Sequence, residues 1–258
     1  MKFIRLKFIQ LNIWGIGHLF DSALDFLNQQ KPDIINLQEV WDGKKDNLPS
    51  GFRGLELLRE KLDLPHFFFT PNVTDNRQEG RFLIGNAIFS RWPIVQSETT
   101  FLEDKHPFNN DYLDRRENYP YVPKSLQRAT IKTEDKVLNV FNFHGIWGKD
   151  GQDTDRRLEA SRKIVEQIKE RENVILSGDF NVNEGTKSIS MIGDYLNNVF
   201  KDDQRKNSFN LRIKGFDSGY AKAVVDFVFV SRNIQVLTHQ MPDLDVSDHL
   251  PLICELEV

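Results

Sequence analysis

The 258-residue chain has a single cysteine, Cys254. That excludes an intramolecular disulfide framework and a multi-cysteine zinc site, and it fits a reducing, cytoplasmic setting. An uninterrupted apolar run is also missing. No stretch approaches the roughly 18 consecutive apolar residues of a spanning helix, so no transmembrane segment is expected. The N-terminal MKFIRLKFIQLNIW interleaves Lys2, Arg5 and Lys7 with apolar residues and so lacks the apolar stretch of a signal peptide. The mature chain is expected to begin as written. Excess positive charge is absent too: 34 Lys and Arg stand against 38 Asp and Glu, a formal net charge of −4. Binding to polyanions by overall charge is thereby excluded, though a local basic patch is not. Internal repeats, low-complexity tracts and lipidation motifs are not seen, and nothing calls for an obligate protein partner.

What is present is a globular composition, 39% hydrophobic and 28% charged, in which strand-like and helix-like periodicities alternate. Strands are predicted at residues 3–13, at DIINLQEV, at HFFFT, at FLIGNAIFS with a break at Gly85, at IVQSETT after Trp92-Pro93, at SLQRATIKT and KVLNVFNFHGIW, at NVILSGDFNV, and at VVDFVFVS, NIQVLTH and LPLICELEV. Helices are predicted over 18–30, 52–62, 153–171 with Thr154 as its cap, and 186–197. Residues 102–125, with Pro107, Pro120 and Pro123, read as a long surface loop. In that loop Arg115-Arg116 is largely cancelled by Asp111, Asp114 and Glu117. No shift of composition divides the chain, so one domain over 1–258 is expected, with sheets covered by helices.

Several of these apolar strands share one feature: each meets acidic, amide or imidazole groups at one end. The first runs into Asn12, the second into Gln38-Glu39. FNFH carries Asn142 and His144, and GDFN carries Asp179 and Asn181. VVDFVFVS begins near Asp226, and SDHLPL begins at Asp248-His249. A shared rim would gather four carboxylates, Glu39, Asp179, Asp226 and Asp248, with two imidazoles and several amides. Grouped carboxylates do not all stay ionised without a cation. Oxygen ligands suit Mg²⁺ or Mn²⁺. Imidazoles and amides beside such a cation suit phosphate-ester hydrolysis. Asp226 in a strand otherwise built of Val and Phe needs a partner, and His249 is the natural one.

The ordered set LNIW, LQEV, GNAIFSRWPI, NFHG, GDFN, VVDFVFVS and SDHLPL resembles the endonuclease/exonuclease/phosphatase superfamily of DNase I-like, metal-dependent phosphoesterases. The resemblance runs from residue 9 to the C-terminus. It implies an α/β (α+β) four-layer sandwich, two packed, mainly antiparallel sheets flanked by helices. It further implies that Glu39 is the principal metal ligand with Asn12 close by, and that Asp248 contacts the metal directly or through water. Asp179 then positions or deprotonates the attacking water, Asn181 orients water and phosphate, and His249 faces the scissile phosphate with its ring fixed by Asp226. His144 is a second phosphate-side imidazole and Arg91 a phosphate or structural contact. Either His249 or Asp179 serves as base. Trp14 stands where some relatives carry a further acid, which argues against a second metal, and NFHGIW lacks the tyrosine motif of abasic-site repair members. Nucleic acid is the leading substrate expectation. A phospholipid head group, an inositol phosphate or another small phosphoester is the alternative, and a catalytically silent binding protein the distant one. Trp147 is a candidate edge aromatic; Arg128 is a candidate structural or phosphate contact; His18, His66, His106 and His239 receive no role.

Overall fold

A computed structural model describes residues 3–15, 19–43, 48–77, 79–102, 108–110 and 116–258. His18, His106, Asp111, Asp114 and Arg115 lie outside them. In chain order the elements are β1 (Arg5–Asn12), α1 (Phe20–Gln30), β2 (Ile34–Asp42), α2 (Gly54–Lys61), β3 (His66–Asn76), β4 (Arg81–Ser90), β5 (Ile94–Phe101), β6 (Phe108–Asn110), β7 (Ser125–Lys132) and β8 (Val137–His144). There follow α3 (Asp155–Ile168), β9 (Val174–Asp179), α4 (Lys187–Gly193), β10 (Asn197–Asn198), α5 (Leu211–Lys214), β11 (Asp226–Val230), β12 (Gln235–Gln240) and β13 (Leu252–Glu257). No described helix is long and apolar enough to cross a membrane.

Two sheets stack face to face. One has seven strands in the order β12-β13-β1-β2-β4-β3-β6, the other six in the order β10-β11-β9-β8-β7-β5. Among the described residues only the β1–β2, β3–β6 and β8–β9 neighbours are parallel. Period-2 alternation sorts each strand between two cores. In β1, Ile9 and Leu11, with Ile13 just past its end, turn outward beneath α1 and α2, while Leu6 and Phe8 turn inward between the sheets. In β8, Phe141 and Phe143 pack outward against α3 and α4, while Leu138 and Val140 face inward. The outcome is the expected sandwich, helices outside and a central inter-sheet layer.

That central layer changes character along the strands. After Leu6 and Phe8, the inward positions of β1 are Gln10 and Asn12; after Leu138 and Val140, those of β8 are Asn142 and His144; after Ile175, those of β9 are Ser177 and Asp179. A belt of amides therefore crosses the middle. Gln38 Nε2 donates to Asn142 Oδ1 (2.6 Å) and to Gln10 Oε1 (3.0 Å). Asn142 Nδ2 donates to the carbonyls of Leu37 (2.9 Å) and Ala87 (3.0 Å) and to Gln127 Oε1 (3.0 Å). Gln38 and Asn142 are fully buried in this belt, not on the rim where their place at strand ends suggested them.

Three further readings are corrected. Strand β4 runs through Gly85 without a break; the glycine is there because a Cβ would stand 1.8 Å from the Thr70 carbonyl oxygen of β3. The 102–125 stretch is not loop throughout, since β6 pairs with β3 and a 3₁₀ turn spans Arg116–Tyr121. The helix expected over 186–197 ends at Gly193. Thr154 does cap α3, its hydroxyl accepting from Arg157 N (3.3 Å).

Candidate active site

The ionic end of the inter-sheet layer opens into a cavity of about 690 Å³. Glu39 reaches it through an irregularity. By parity with Ile35 and Leu37 its side chain would point beneath the helices. Between Leu37 and Val40, however, β2 carries one residue more than its partner segment Gly85–Ala87 of β4. Glu39 adopts a left-handed backbone, φ 58°. This bulge returns Val40 to the helix side and frees Glu39 for the cavity. Two other non-glycine residues of the site, Trp14 (φ 47°) and Asn181 (φ 53°), are held in the same sparsely populated region.

Asn12 bridges two carboxylates: its Nδ2 donates to Glu39 Oε1 (3.2 Å) and to Asp179 Oδ2 (3.1 Å), while its Oδ1 accepts from Trp14 N (3.1 Å). Asp179 Oδ1 accepts from Asn181 N (2.9 Å), and Asn181 Nδ2 donates to the Gly145 carbonyl (3.2 Å). Gly178 lets β9 lie close to β8, since a Cβ there would sit 1.8 Å from the Phe143 oxygen; His144 is thereby brought level with Asp179. Its Nε2 lies 3.6 Å from Asp179 Oδ2 and 4.0 Å from Glu39 Oε1. His249 Nδ1 is hydrogen-bonded to Asp226 Oδ2 at 2.8 Å, and its Nε2 points to Asp179 Oδ2 at 3.8 Å. Asp248 pairs through Oδ2 with Lys214 Nζ (2.7 Å), and its Oδ1 accepts from Ser247 Oγ (3.3 Å).

The electrostatics follow from this crowding. Burial, with Asp248 nearby, raises Glu39 above the usual carboxylate range. Burial likewise pushes Asp179 up to about 6, Asp226 adding to the effect while His249, the Asn181 N–H and the Asn12 amide oppose it. His144 is lowered well below its ordinary value by burial, then by Lys124 and His249. For His249 burial works against the charged ring, but Asp226 and Asp179 outweigh it and push it up to about 10. The pair His144 and His249 is thus split into a neutral and a charged imidazole.

The donor set fits a hard divalent cation. Glu39 and Asp179 present carboxylate oxygens at one corner of the cavity, joined by the Asn12 amide N–H groups, and a cation there would relieve the cost of burying both as anions. Asp248 Oδ2 is taken by Lys214, Asp248 Oδ1 by Ser247 Oγ and Asn12 Oδ1 by Trp14 N, so Glu39 is the readiest ligand. Asp179, Asp226 and His249 also offer ligand atoms within 4.8 Å of one another. The short His249–Asp226 hydrogen bond accounts for that cluster as an oriented imidazolium.

Every expected site residue but one meets here. Arg91 does not: its guanidinium pairs with Asp33 (Nη1–Oδ1 2.8 Å) at the opposite end of β2, six residues or about 20 Å from Glu39. Arg128 pairs with Glu98 (2.7 Å) along β7 and β5. Trp147 does line the cavity, edge-on to Tyr119 at 5.5 Å. Lys124 and Lys214, which also line it, went unread in the sequence. One lies within the irregular 102–125 stretch and the other closes a four-residue helix, and neither setting has a periodicity to flag it.

The model of the Endonuclease/Exonuclease/phosphatase family matches residues 9–249. The chain belongs to this family. Similar solved structures include a family member from Beutenbergia cavernae DSM 12333 (TM-score 0.77, 18% identity, 98% of this chain and 72% of that one). A mannosyl-6-phosphatase from Bacteroides thetaiotaomicron VPI-5482 is also similar (TM-score 0.68, 19% identity, 97% and 99%). So is D. rerio TDP2 complexed with single strand DNA product (TM-score 0.68, 17% identity, 98% and 98%). At these identities the structural likeness speaks for the fold. Comparison with curated proteins found no match. The fold is thus that of the family's phosphoesterases.

Proposed function

We propose that this endonuclease/exonuclease/phosphatase family member is a divalent-metal-dependent phosphoester hydrolase that delivers an activated water to phosphorus. The observation that carries the reading is the meeting of Glu39, Asn12, Asp179, Asn181, His144 and His249 around one cavity, with Asp226 behind His249. Glu39 and Asn12 would hold Mg²⁺ or Mn²⁺, with Asp248 adding negative charge beside them. Bound there, the cation supplies neutralisation of the phosphoryl charge.

The chain's own residues divide the remaining work. Asp179, oriented by Asn181 N and Asn12 Nδ2 and pushed up to about 6, is the better base for water near neutral pH. His249, held as an imidazolium by Asp226, offers Nε2–H to the phosphoryl oxygens or the departing one. Neutral His144 and the Asn181 amide add hydrogen bonds to the same group. This reading assigns the base to Asp179 and the charge-stabilising role to His249.

For substrate we put a nucleic-acid phosphodiester first. Trp14, Tyr119, Trp147 and Tyr220 line the cavity as stacking surfaces, accompanied by Lys124, Lys149 and Lys214. The relative TDP2, solved with single strand DNA product, points the same way. The second reading, a small phosphoester such as a sugar phosphate, draws on the chain's net charge of −4 and on the mannosyl-6-phosphatase neighbour. The test is a panel with Mg²⁺ or Mn²⁺ containing plasmid DNA, single-stranded DNA, RNA, sphingomyelin, inositol and sugar phosphates, and bis-p-nitrophenyl phosphate. Turnover lost in EDTA and lowered at least ~100-fold in His249→Ala is expected. Full activity of His249→Ala on the preferred substrate would reject the mechanism, and cleavage of small phosphoesters with DNA and RNA intact would reject the nucleic-acid assignment.

A further inference from the structure

Lys214 ends α5, and its position is built rather than incidental. The segment carrying it is fastened to the one carrying His249. Asn210 N donates to the Asp248 carbonyl (2.9 Å), Asn210 Nδ2 to the Ser247 carbonyl (3.1 Å) and to Asp245 Oδ1 (2.9 Å), and Leu250 N to the Ser208 carbonyl (2.9 Å). Arg212 closes the same junction on Asp243 (2.8 Å) and Asp245 (2.5 Å). From this anchored wall Lys214 Nζ reaches Asp248 Oδ2 at 2.7 Å, with the rings of Trp14 and Tyr220 centred 5.8 and 5.5 Å away. Its side chain is 22% exposed and faces the catalytic cavity.

An ammonium carries three donors. Asp248 takes one, and Lys214 has no second hydrogen-bond or ion-pair partner among the described residues. The two ring faces favour the charge without supplying an oxygen to receive the remaining N–H groups. A compact cation with donors to spare, paired with Asp248 on the wall of the cavity that Glu39 and His249 also line, is complementary to an anionic oxygen.

We propose that Lys214 is a specificity-determining residue whose spare N–H donors take a non-bridging oxygen of the substrate's phosphate, while Asp248 holds the ammonium in position. This rests on the phosphoester reading above. A lysine that merely neutralised Asp248 would influence stability and metal affinity and leave phosphate affinity alone, which separates the two roles.

The experiment uses the full chain with saturating Mn²⁺ and inorganic phosphate as the probe. Phosphate affinity is measured by calorimetry, Mn²⁺ affinity by a separate titration, and KM on bis-p-nitrophenyl phosphate. Lys214→Met is expected to weaken phosphate binding and raise KM by roughly tenfold, with Mn²⁺ affinity changed less than about twofold; Lys214→Arg should recover most of the loss. Should Lys214→Met melt far below the wild type, Lys214→Gln carries the same comparison, because it keeps a donor for Asp248 and removes the charge. Unchanged phosphate affinity and KM in a folded charge-removing variant, with an active wild type, overturns the proposal. A wild type that binds Mn²⁺ yet neither binds phosphate nor cleaves any phosphoester overturns the hydrolase reading, and this proposal with it.

Discussion

At one end of the space between the sheets, Phe8, Val140, Ile175 and Val228 meet as a purely apolar packing; at the other, Asn12, His144, Asp179 and Asp226 meet as ions and amides. The same strands, on the same inward face, supply both ends. Beside the ionic end their outward faces stay apolar, with Ile9 and Leu11 on β1, Phe141 and Phe143 on β8, and Phe227 and Phe229 on β11. The ionic end therefore needs no separate scaffold. It is the continuation of the core with different side chains, and cohesion has to come from the apolar end and the two outer layers. Between them the amide belt of Gln10, Gln38, Gln127 and Asn142 accommodates the change, each amide fully buried and each in a hydrogen bond.

The comparison breaks most sharply at the ionic end. Asp179→Asn should lower kcat at least ~100-fold without lowering the melting temperature of the EDTA-treated protein at pH 7.5. A buried acid pushed up to about 6 favours the fold less as pH rises from its unfolded value of about 4 through 6, and the amide has no such penalty. A clear fall in melting temperature would show that the carboxylate supports the fold. In the middle, Asn142→Leu should cost about 3 kcal/mol in urea unfolding, since it strips donors from the Leu37 and Ala87 carbonyls and from Gln127. A cost below about 1 kcal/mol would mean that the belt repairs itself.

A pH series sharpens the contrast further. A histidine raised to about 10 in the fold contributes its full stabilisation below the unfolded value of about 6.5 and loses it as pH climbs towards 10. Metal-free wild type should accordingly lose melting temperature between pH 7 and 10, and Asp226→Asn should flatten that decline; parallel slopes would sink the ion-pair account of His249. The smallest effect belongs to the apolar end. Ile175→Val should cost about 1 kcal/mol with kcat unaltered, and a change in kcat would mean that packing there is coupled to the site.

Much of this contrast is readable in the sequence, because parity carries it. Val228 and Val230 precede no surprise once Asp226 is seen two positions back on the same face, and Leu138, Val140, Asn142 and His144 form one alternating series. Parity alone, however, does not say where burial ends and the rim begins, so Gln38 and Asn142 were expected a layer too far out. Nor does it see an added residue: Leu37 and Val40 are both apolar, and the bulge that frees Glu39 leaves no mark in composition. The motif points Arg91 to the site, although its guanidinium pairs with Asp33 just ahead of β2, while Glu39 stands towards the other end of that strand. Lys214 depends on contacts among Asn210, Asp245, Ser247 and Asp248 that link distant stretches of chain.

The irregularity at Glu39 has a consequence for anyone who would improve this protein by straightening it. Removing one residue between Leu37 and Val40 would give β2 and β4 an unbroken ladder and relieve a left-handed backbone. Taking out Glu39 removes the acid itself, and taking out Gln38 draws Glu39 back into that amide's buried place, so either deletion strips the cavity of the carboxylate proposed to hold a cation. Here the defect in the weave is heritable cargo, and stabilisation by consensus geometry should stop short of it.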